Sequence, residues 1–486
     1  MAKTIHEINA VIDKGPYAAT WASLQTATLP AWFQQEKFGI FIHWGLYSIP
    51  AFNNEWYSRN MYIEGSVEFK HHVKTYGQHK TFGYQHFIPM FTADKFDPSV
   101  WAEVILRSGA KYVFPVAEHH DGFQMYRSDI SHWNSYEMGP KRDILGELRK
   151  AFEERGLRFC TSSHRAEHWF FMSHGRLFNS DIDKTLNKGD FYWPSEKEQN
   201  AYNFSSKPAP SKAYLEDWLM RTVEIVDVYH PSIMYFDWWI QHEAFKPYLK
   251  KFAAYYFNEA LRLGQEVAIS YKHDALLFGS GIIEIERGRF STLKHFPWQT
   301  ETAIANNSWC YTETLDYKSP IDIITLLIDV VSKNGNLLLN IGPKGDGSIP
   351  AYEVALLESV GDWLAINGEA IYGSKPYKVY GEGPTKETEG KFSEQTTTYT
   401  AQDFRFTVNH GAFYAICLNP ANETFFRVET LRKATEHQEG LFSNIERVTC
   451  LGCDEDITFE HRTDGLVIKT DCIKSYMPVI FKIETE

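Results

Sequence analysis

The sequence predicts a (β/α)8-like (TIM) barrel over residues 1–375, followed by an antiparallel β-sandwich over residues 376–486. Three observations carry that prediction. Apolar strand-like runs alternate with helical stretches from Phe38 to Asn367, the pattern of a parallel sheet with helices on its faces. The polar groups of that region sit at the ends of several different strands, which favours a barrel over an open sheet with its single switch point. Beyond Gly373 the helical stretches give way to short alternating strands joined by hairpin turns.

Taken in order, the first strand is Phe38 to Gly45, a continuous apolar run bounded by glycines and ending in His43 beside Trp44. A loop follows with Glu55, Trp56 and Tyr57. Asp97 and Pro98 start a helix as cap and first residue, Gly109 ends it, and Trp101, Val104 and Ile105 fall on one face. Lys111 to Ala117 is a strand that finishes in Glu118-His119-His120-Asp121. Arg142 to Glu154 has helix composition, and Leu157 to Ser163 is a strand leading to His164. Ser180 to Lys212 turns polar and reads as a long loop insertion of the kind that shapes the entrance to a barrel site. A helix with Leu215, Trp218, Leu219, Thr222, Ile225, Val226 and Tyr229 on one stripe leads into the strand at Ser232 to Phe236. Then come helix Pro247 to Arg262, strands Glu266 to Tyr271 and Gly281 to Arg287, helix Ile321 to Ser332, strand Asn336 to Ile341 and helix Tyr352 to Asn367. That gives seven barrel strands. In the second part, Phe404 to Val408 and Ala412 to Leu418 flank the turn Asn409-His410-Gly411, and Asp464-Gly465 marks another hairpin.

Composition narrows the function. The net charge of −13 argues against a nucleic-acid partner, which needs clustered Lys and Arg. No stretch has the length and apolarity of a signal peptide or a membrane span, so the expected location is cytoplasmic with no membrane association. The 15% aromatic content suits a cleft for carbohydrates or other rings. Of the six cysteines, Cys450 and Cys453 form a CxxC without a second pair at metal spacing, and they read as ordinary thiols. The sequence sets no oligomeric state.

Asp237 is the residue around which a site can be built. It ends a buried strand between bulky aromatics, where an unpaired carboxylate is costly. Either it caps or salt-bridges the next segment, or it is a catalytic carboxylate at the C-terminal end of a barrel strand. The strand-end set His43, Glu118, His119, His120, His164, Asp237, Glu284 and Glu286 admits three readings. A metal is disfavoured because Phe41, not histidine, stands two before His43, and because adjacent His119 and His120 diverge from one strand. A wholly structural role suits any one of these groups better than the set. The third reading has two carboxylates flanking a glycosidic bond while neutral histidines hydrogen-bond sugar hydroxyls and aromatics stack on the ring.

Several motifs point the same way: Phe38 to Pro50 (FGIFIHWGLYSIP), Asn54-Glu55-Trp56-Tyr57, Glu118 to Phe123 (EHHDGF), Tyr235-Phe236-Asp237, Pro297-Trp298, Ser308-Trp309-Cys310-Tyr311, Gly335 to Pro343 (GNLLLNIGP) and Asn367 to Gly373 (NGEAIYG). In these the chain resembles the retaining α-L-fucosidases, over roughly residues 30 to 373 and in the family's order. The resemblance implies an exo-acting hydrolase of fucosylated oligosaccharides or glycoconjugates, with no metal and no cofactor. It implies Asp237 as nucleophile. It implies His43, Glu55, Trp56, His119 and His120 as ligands of the fucose hydroxyls, and Phe41, Tyr235 and Trp309 as the surroundings of the sugar's methyl group. The acid/base falls in Ile283 to Gly288, where Glu284 and Glu286 share strand parity. Glu286, nearer the strand's C-terminal end, is preferred. Gln299 stands where many relatives carry Glu, which removes a third candidate. The insertion Ser180 to Lys212 is expected to govern the leaving-group side. Two alternatives stay open, a related exo-glycosidase for another sugar and a non-catalytic fucose-binding protein.

Overall fold

Barrel strands can be assigned residue by residue in the computed structural model, which describes the whole chain except Met1, Ala201, Phe442, Asp456, Lys474 and Ser475. Among the described residues the strands are β1 (Phe38–Ile42), β2 (Tyr112–Glu118), β3 (Arg158–Phe159 continued by Thr161–Ser163), β4 (Ile233–Phe236), β5 (Ala268–Lys272), β6 (Ile282–Glu286), β7 (Trp298–Ala303) and β8 (Gly335–Ile341). All neighbours run parallel. The sheet closes because β1 pairs with both β8 (Phe38 opposite Leu337) and β2 (Gly39 opposite Tyr112).

The eighth strand is the one the sequence reading lacks. β7 is Trp-Gln-Thr-Glu-Thr-Ala, buried along its length yet carrying no apolar run. Its inward side chains Gln299 and Glu301 are satisfied by polar partners inside the barrel: Gln299 donates to Glu284 (2.9 Å), and Glu301 accepts from Tyr235 (2.7 Å). Hydrophobic periodicity is silent when a buried face is paired by hydrogen bonds.

Because strand side chains alternate between faces, the barrel interior fills in layers. Phe41, Tyr112, Phe114, Val116, Ile233, Tyr235, Ile282 and Leu338 form the apolar plug, which Trp32 and Phe33 close at the N-terminal end. The outer helices present apolar stripes to the other face. Helix Pro98–Arg107, capped by Asp97 onto the Ser99 amide (2.8 Å), buries Trp101, Ala102 and Ile105. Helix Lys212–Tyr229, capped by Ser211, sets fully buried Trp218 against Phe236 of β4, with ring centroids 5.2 Å apart. Burying a side chain of that size contributes about 2–3 kcal/mol, and here it fixes the strand that ends at Asp237. Among its described residues the insertion Ser180 to Lys212 has no strand, and its only helical residue is Lys212, where the next helix begins.

The second part is built of β9 (Lys375–Glu382), β10 (Phe404–Asn409), β11 (Ala412–Cys417), β12 (Phe425–Val428), β13 (Ile445–Cys450), β14 (Thr458–Arg462), β15 (Gly465–Lys469) and β16 (Val479–Thr485). They form two antiparallel sheets, ordered β9-β10-β11-β16-β13 and β12-β15-β14, with Phe404, Phe406, Phe426, Leu466, Ile468 and Phe481 packed together as their core. The expected β10–β11 hairpin turns at His410-Gly411, both at positive φ (49° and 77°), as a two-residue turn of that hand requires. One reading needs correction. Cys453 is not a free thiol but is disulfide-bonded to Cys472, while Cys450 is free and buried. The partner lies on a segment brought alongside by the fold, which the spacing of a CxxC does not report. No helix among the described residues is long and apolar enough to cross a membrane.

Candidate active site

Above the apolar plug, the next inward position of each strand is polar. His43 follows β1, His164 follows β3, Asp237 follows β4, Lys272 and Glu286 end β5 and β6, and Glu301 and Asn340 lie on β7 and β8. His43, His164, Asp237, Glu286 and Glu301 line a cavity of about 340 Å³ at the C-terminal mouth of the barrel, with Lys272 beneath them, and the ten side chains given catalytic or sugar-contact roles in the sequence analysis all line it. Phe41 and Tyr235 rise from the plug, their rings 5.3 Å apart, and Trp309 leans over Phe41 at 6.4 Å. Glu55 and Trp56 enter from the loop after β1. Glu55 is anchored by the Trp309 backbone amide, which donates to its carboxylate (3.0 Å).

Asp237 is the most heavily bonded of the carboxylates. His164 Nδ1 donates to its Oδ2 (2.8 Å), His120 Nε2 lies 3.5 Å from the same oxygen, and the Tyr235 hydroxyl, whose proton is directed mainly at Glu301, lies 3.2 Å from Oδ1. Lys272 Nζ stands 3.8 Å from Oδ1. Burial works to raise the Asp237 carboxyl, but His164, His120 and Lys272 outweigh it and hold the group well below the usual carboxylate range. The histidines divide by their partners. His120 gives Nδ1–H to the His164 carbonyl (2.7 Å) and points Nε2 between Asp237 and Glu167 (3.3 Å). Burial disfavours its charge, yet the two carboxylates prevail and lift it to about 9. His43 gives Nδ1–H to Asn340 (2.6 Å) and, with His119, is held neutral by burial and by neighbouring histidines.

Glu286 faces Asp237 across the cavity. It accepts hydrogen bonds from Lys272 Nζ (3.0 Å) and from the Trp238 indole. Oxygens of Asp237, Glu286 and Glu301 all lie within 4.8 Å of one another. Lys272 also bonds Glu301, whose carboxyl burial pushes up to about 7 against the pull of that lysine. Glu284 sits one layer deeper, accepts from Ser270 (3.1 Å) and Gln299 (2.9 Å), and does not reach the cavity.

His119 and His120 do not diverge as adjacent strand residues would. β2 ends at Glu118, and the turn beyond it delivers both rings to the cavity, centroids 4.5 Å apart. Glu118 points away, into an ion network with Arg165 (2.5 Å) and Arg221 (3.2 Å). Among the described residues three side-chain sets could bring metal-ligand atoms together: His43, His119 and His164; His120, His164 and Asp237; and Asp237, Glu286 and Glu301. In the first two, both His164 nitrogens are already engaged, by Asp237 and by Ser162 (2.9 Å). In the third the Lys272 ammonium already occupies the place of a cation.

Sequence reasoning assigned no site role to Glu167, Tyr202, Trp238, Glu301 and Phe392, all of which line the cavity, nor to Lys272 beneath it. Strand parity was the available signal for Lys272, two residues beyond Ser270. Nothing local marks Phe392, which arrives from the β9–β10 connection of the second part.

A closed (β/α)8 barrel that gathers paired carboxylates, histidines and stacked aromatics in one pocket at its C-terminal mouth has the make-up of a barrel glycoside hydrolase. The family profile Alpha-L-fucosidase matches residues 4–369. The tissue α-L-fucosidase of Rattus norvegicus is 34% identical over 373 residues, covering 75% of this chain and 74% of the relative. The α-L-fucosidase of Dictyostelium discoideum is 31% identical over 389 residues, 76% and 77% of the two chains. The crystal structure of Thermotoga maritima α-fucosidase with a mechanism-based inhibitor superposes with a TM-score of 0.75 at 29% identity, covering 96% of this chain and 99% of that one. The chain belongs to the α-L-fucosidase family.

Proposed function

We propose that the protein is an exo-acting α-L-fucosidase that retains anomeric configuration through a fucosyl-enzyme, acting on fucosylated oligosaccharides or glycoconjugates. The observation that carries the reading is the approach of Asp237 and Glu286, with carboxylate oxygens within 4.8 Å. So close an approach of single oxygens fits the shorter carboxyl spacing of retaining enzymes, about 5–5.5 Å, better than the roughly 6.5–9.5 Å that inverting enzymes leave for a water.

Asp237, ionised in its buried site, attacks the anomeric carbon from the face opposite the leaving oxygen. Glu286 gives that oxygen its proton as the glycosidic bond breaks. Glu286 then takes a proton from water, the water oxygen bonds the anomeric carbon from the original face, and the bond to Asp237 breaks. In this reading His43, Glu55, Trp56, His119 and His120 hold the fucose hydroxyls. Phe41, Tyr235 and Trp309 surround the methyl group, an apolar contact that discriminates modestly by itself. The apolar plug closes the cavity from below, which suits removal of a terminal sugar.

A second reading has Glu301 as proton donor, since its carboxyl is pushed up to about 7. Glu286 is preferred because Glu301 lies deeper, tied to Tyr235 and Lys272, while Glu286 stands beside Trp238 at the mouth. Proton NMR of the first-formed sugar tests the reading: α-fucose appears first and mutarotates afterwards. Initial β-fucose would overturn retention.

A further inference from the structure

The carboxyl that protonates the leaving oxygen also marks where the leaving group begins. Three aromatic side chains surround that point. The Trp238 indole N–H is bonded to Glu286, Phe392 lies nearly parallel to Trp238 (15° between planes, centroids 5.9 Å apart), and Tyr202 meets Trp238 edge-on at 5.9 Å. Phe392 and Tyr202 are 53% and 69% exposed, so packing within the fold does not account for them. Neither comes from the barrel's strands. Tyr202 belongs to the insertion after β3, and Phe392 to the long connection between β9 and β10.

That connection is fixed on the strand carrying Glu286. The Phe392 amide donates to the Glu286 carbonyl (2.9 Å), the Glu394 amide to Arg287 (3.0 Å), and the Gly390 amide to Arg289 (3.1 Å). The crossing is so close that a Cβ on Gly288 would stand 1.8 Å from the Gly390 carbonyl oxygen. On one flank Glu394 accepts from Thr302 (2.8 Å). On the other, Glu387 is buried among Lys333 (2.8 Å), Arg405 (3.1 Å) and Arg289 (3.2 Å). The segment therefore holds Phe392 in a set position relative to Glu286.

We infer that Phe392, with Trp238 and Tyr202, forms the leaving-group subsite, so that the second domain selects which fucosylated sugar is cleaved. The ligand class is a pyranose that turns an apolar C–H face to aromatic rings, the sugar to which the terminal fucose is attached. The inference rests on the reading of the pocket as a fucose site with Glu286 at the leaving oxygen.

The test compares two substrates. An α-L-fucosyl fluoride carries no leaving-group sugar, and a fucosylated disaccharide does. Phe392→Ala lowers kcat/KM on the disaccharide at least tenfold more than on the fluoride, through KM. Phe392→Trp restores most of that selectivity. Tyr202→Ala, on a separate segment, shifts the same ratio in the same direction. Because Phe392 is exposed, its truncation opens no core cavity, and an unchanged melting temperature checks folding. An unchanged disaccharide-to-fluoride ratio in Phe392→Ala overturns the inference while leaving the activity reading intact. Wild-type protein that releases fucose from neither substrate overturns the activity reading and the inference with it.

Discussion

Asp237 keeps its charge in a buried site because His164, His120, Tyr235 and Lys272 converge on its two oxygens. The histidines around it are neutral or charged according to what their second nitrogen meets. His120, set between Asp237 and Glu167, is the one lifted to about 9. A histidine whose folded pKa exceeds its unfolded value near 6.5 stabilises the fold fully below that value, and the contribution is lost as pH rises through about 9. The shift corresponds to about 3 kcal/mol. The melting temperature of the wild type should therefore exceed that of His120→Asn most below pH 6.5, and the gap should shrink toward pH 9. A gap that stays constant over that range would contradict a charged His120.

At the scale of elements, the parity of each strand does the positioning. The apolar plug at Phe41 and Tyr235 is followed two residues later by His43 and Asp237, so one register supplies both packing and chemistry. This is why so much could be read from the chain. Apolar runs ending in polar residues located seven strands, and the strand ends gave His43, His120, Asp237 and Glu286 as pocket positions. β7 was lost because its inward residues, Gln299 and Glu301, are paired by Glu284, Tyr235 and Lys272 rather than packed, so it has no apolar signature. The choice between Glu284 and Glu286 needed depth in the barrel, which parity alone does not supply. The Tyr202 and Phe392 contributions depend on long connections with no period at all.

For the whole molecule, the two parts are joined by buried charge. Asp329, on helix Pro320–Ser332 of the barrel, accepts from Lys333 (2.7 Å) and from Arg405 of β10 (2.6 Å), with Arg289 at 3.3 Å. Glu387 completes the cluster from the segment that carries Phe392. Removing one partner of such a network leaves uncompensated buried charge, at a cost of about 3–5 kcal/mol. Asp329→Ala should lower the melting temperature by several degrees and weaken disaccharide cleavage through the displaced segment. Unchanged stability would show that the cluster does not tie the two parts together.

The pairing of Asp237 with Glu286 is tested most directly by azide rescue of the two alanine variants on an activated aryl α-L-fucoside. In Glu286→Ala the good leaving group departs without protonation, and the fucosyl-enzyme accumulates for want of a base. Azide needs no base, so it should restore turnover and yield α-fucosyl azide, attacking from the face the aryl group left. In Asp237→Ala the unassisted rate should fall by about 10⁴-fold or more, and azide entering the vacated space should give the β product. Near-native rates of Glu286→Ala on natural glycans would pass the proton-transfer role to Glu301, and β-fucosyl azide from that variant would contradict the account by placing Glu286 on the nucleophile's face.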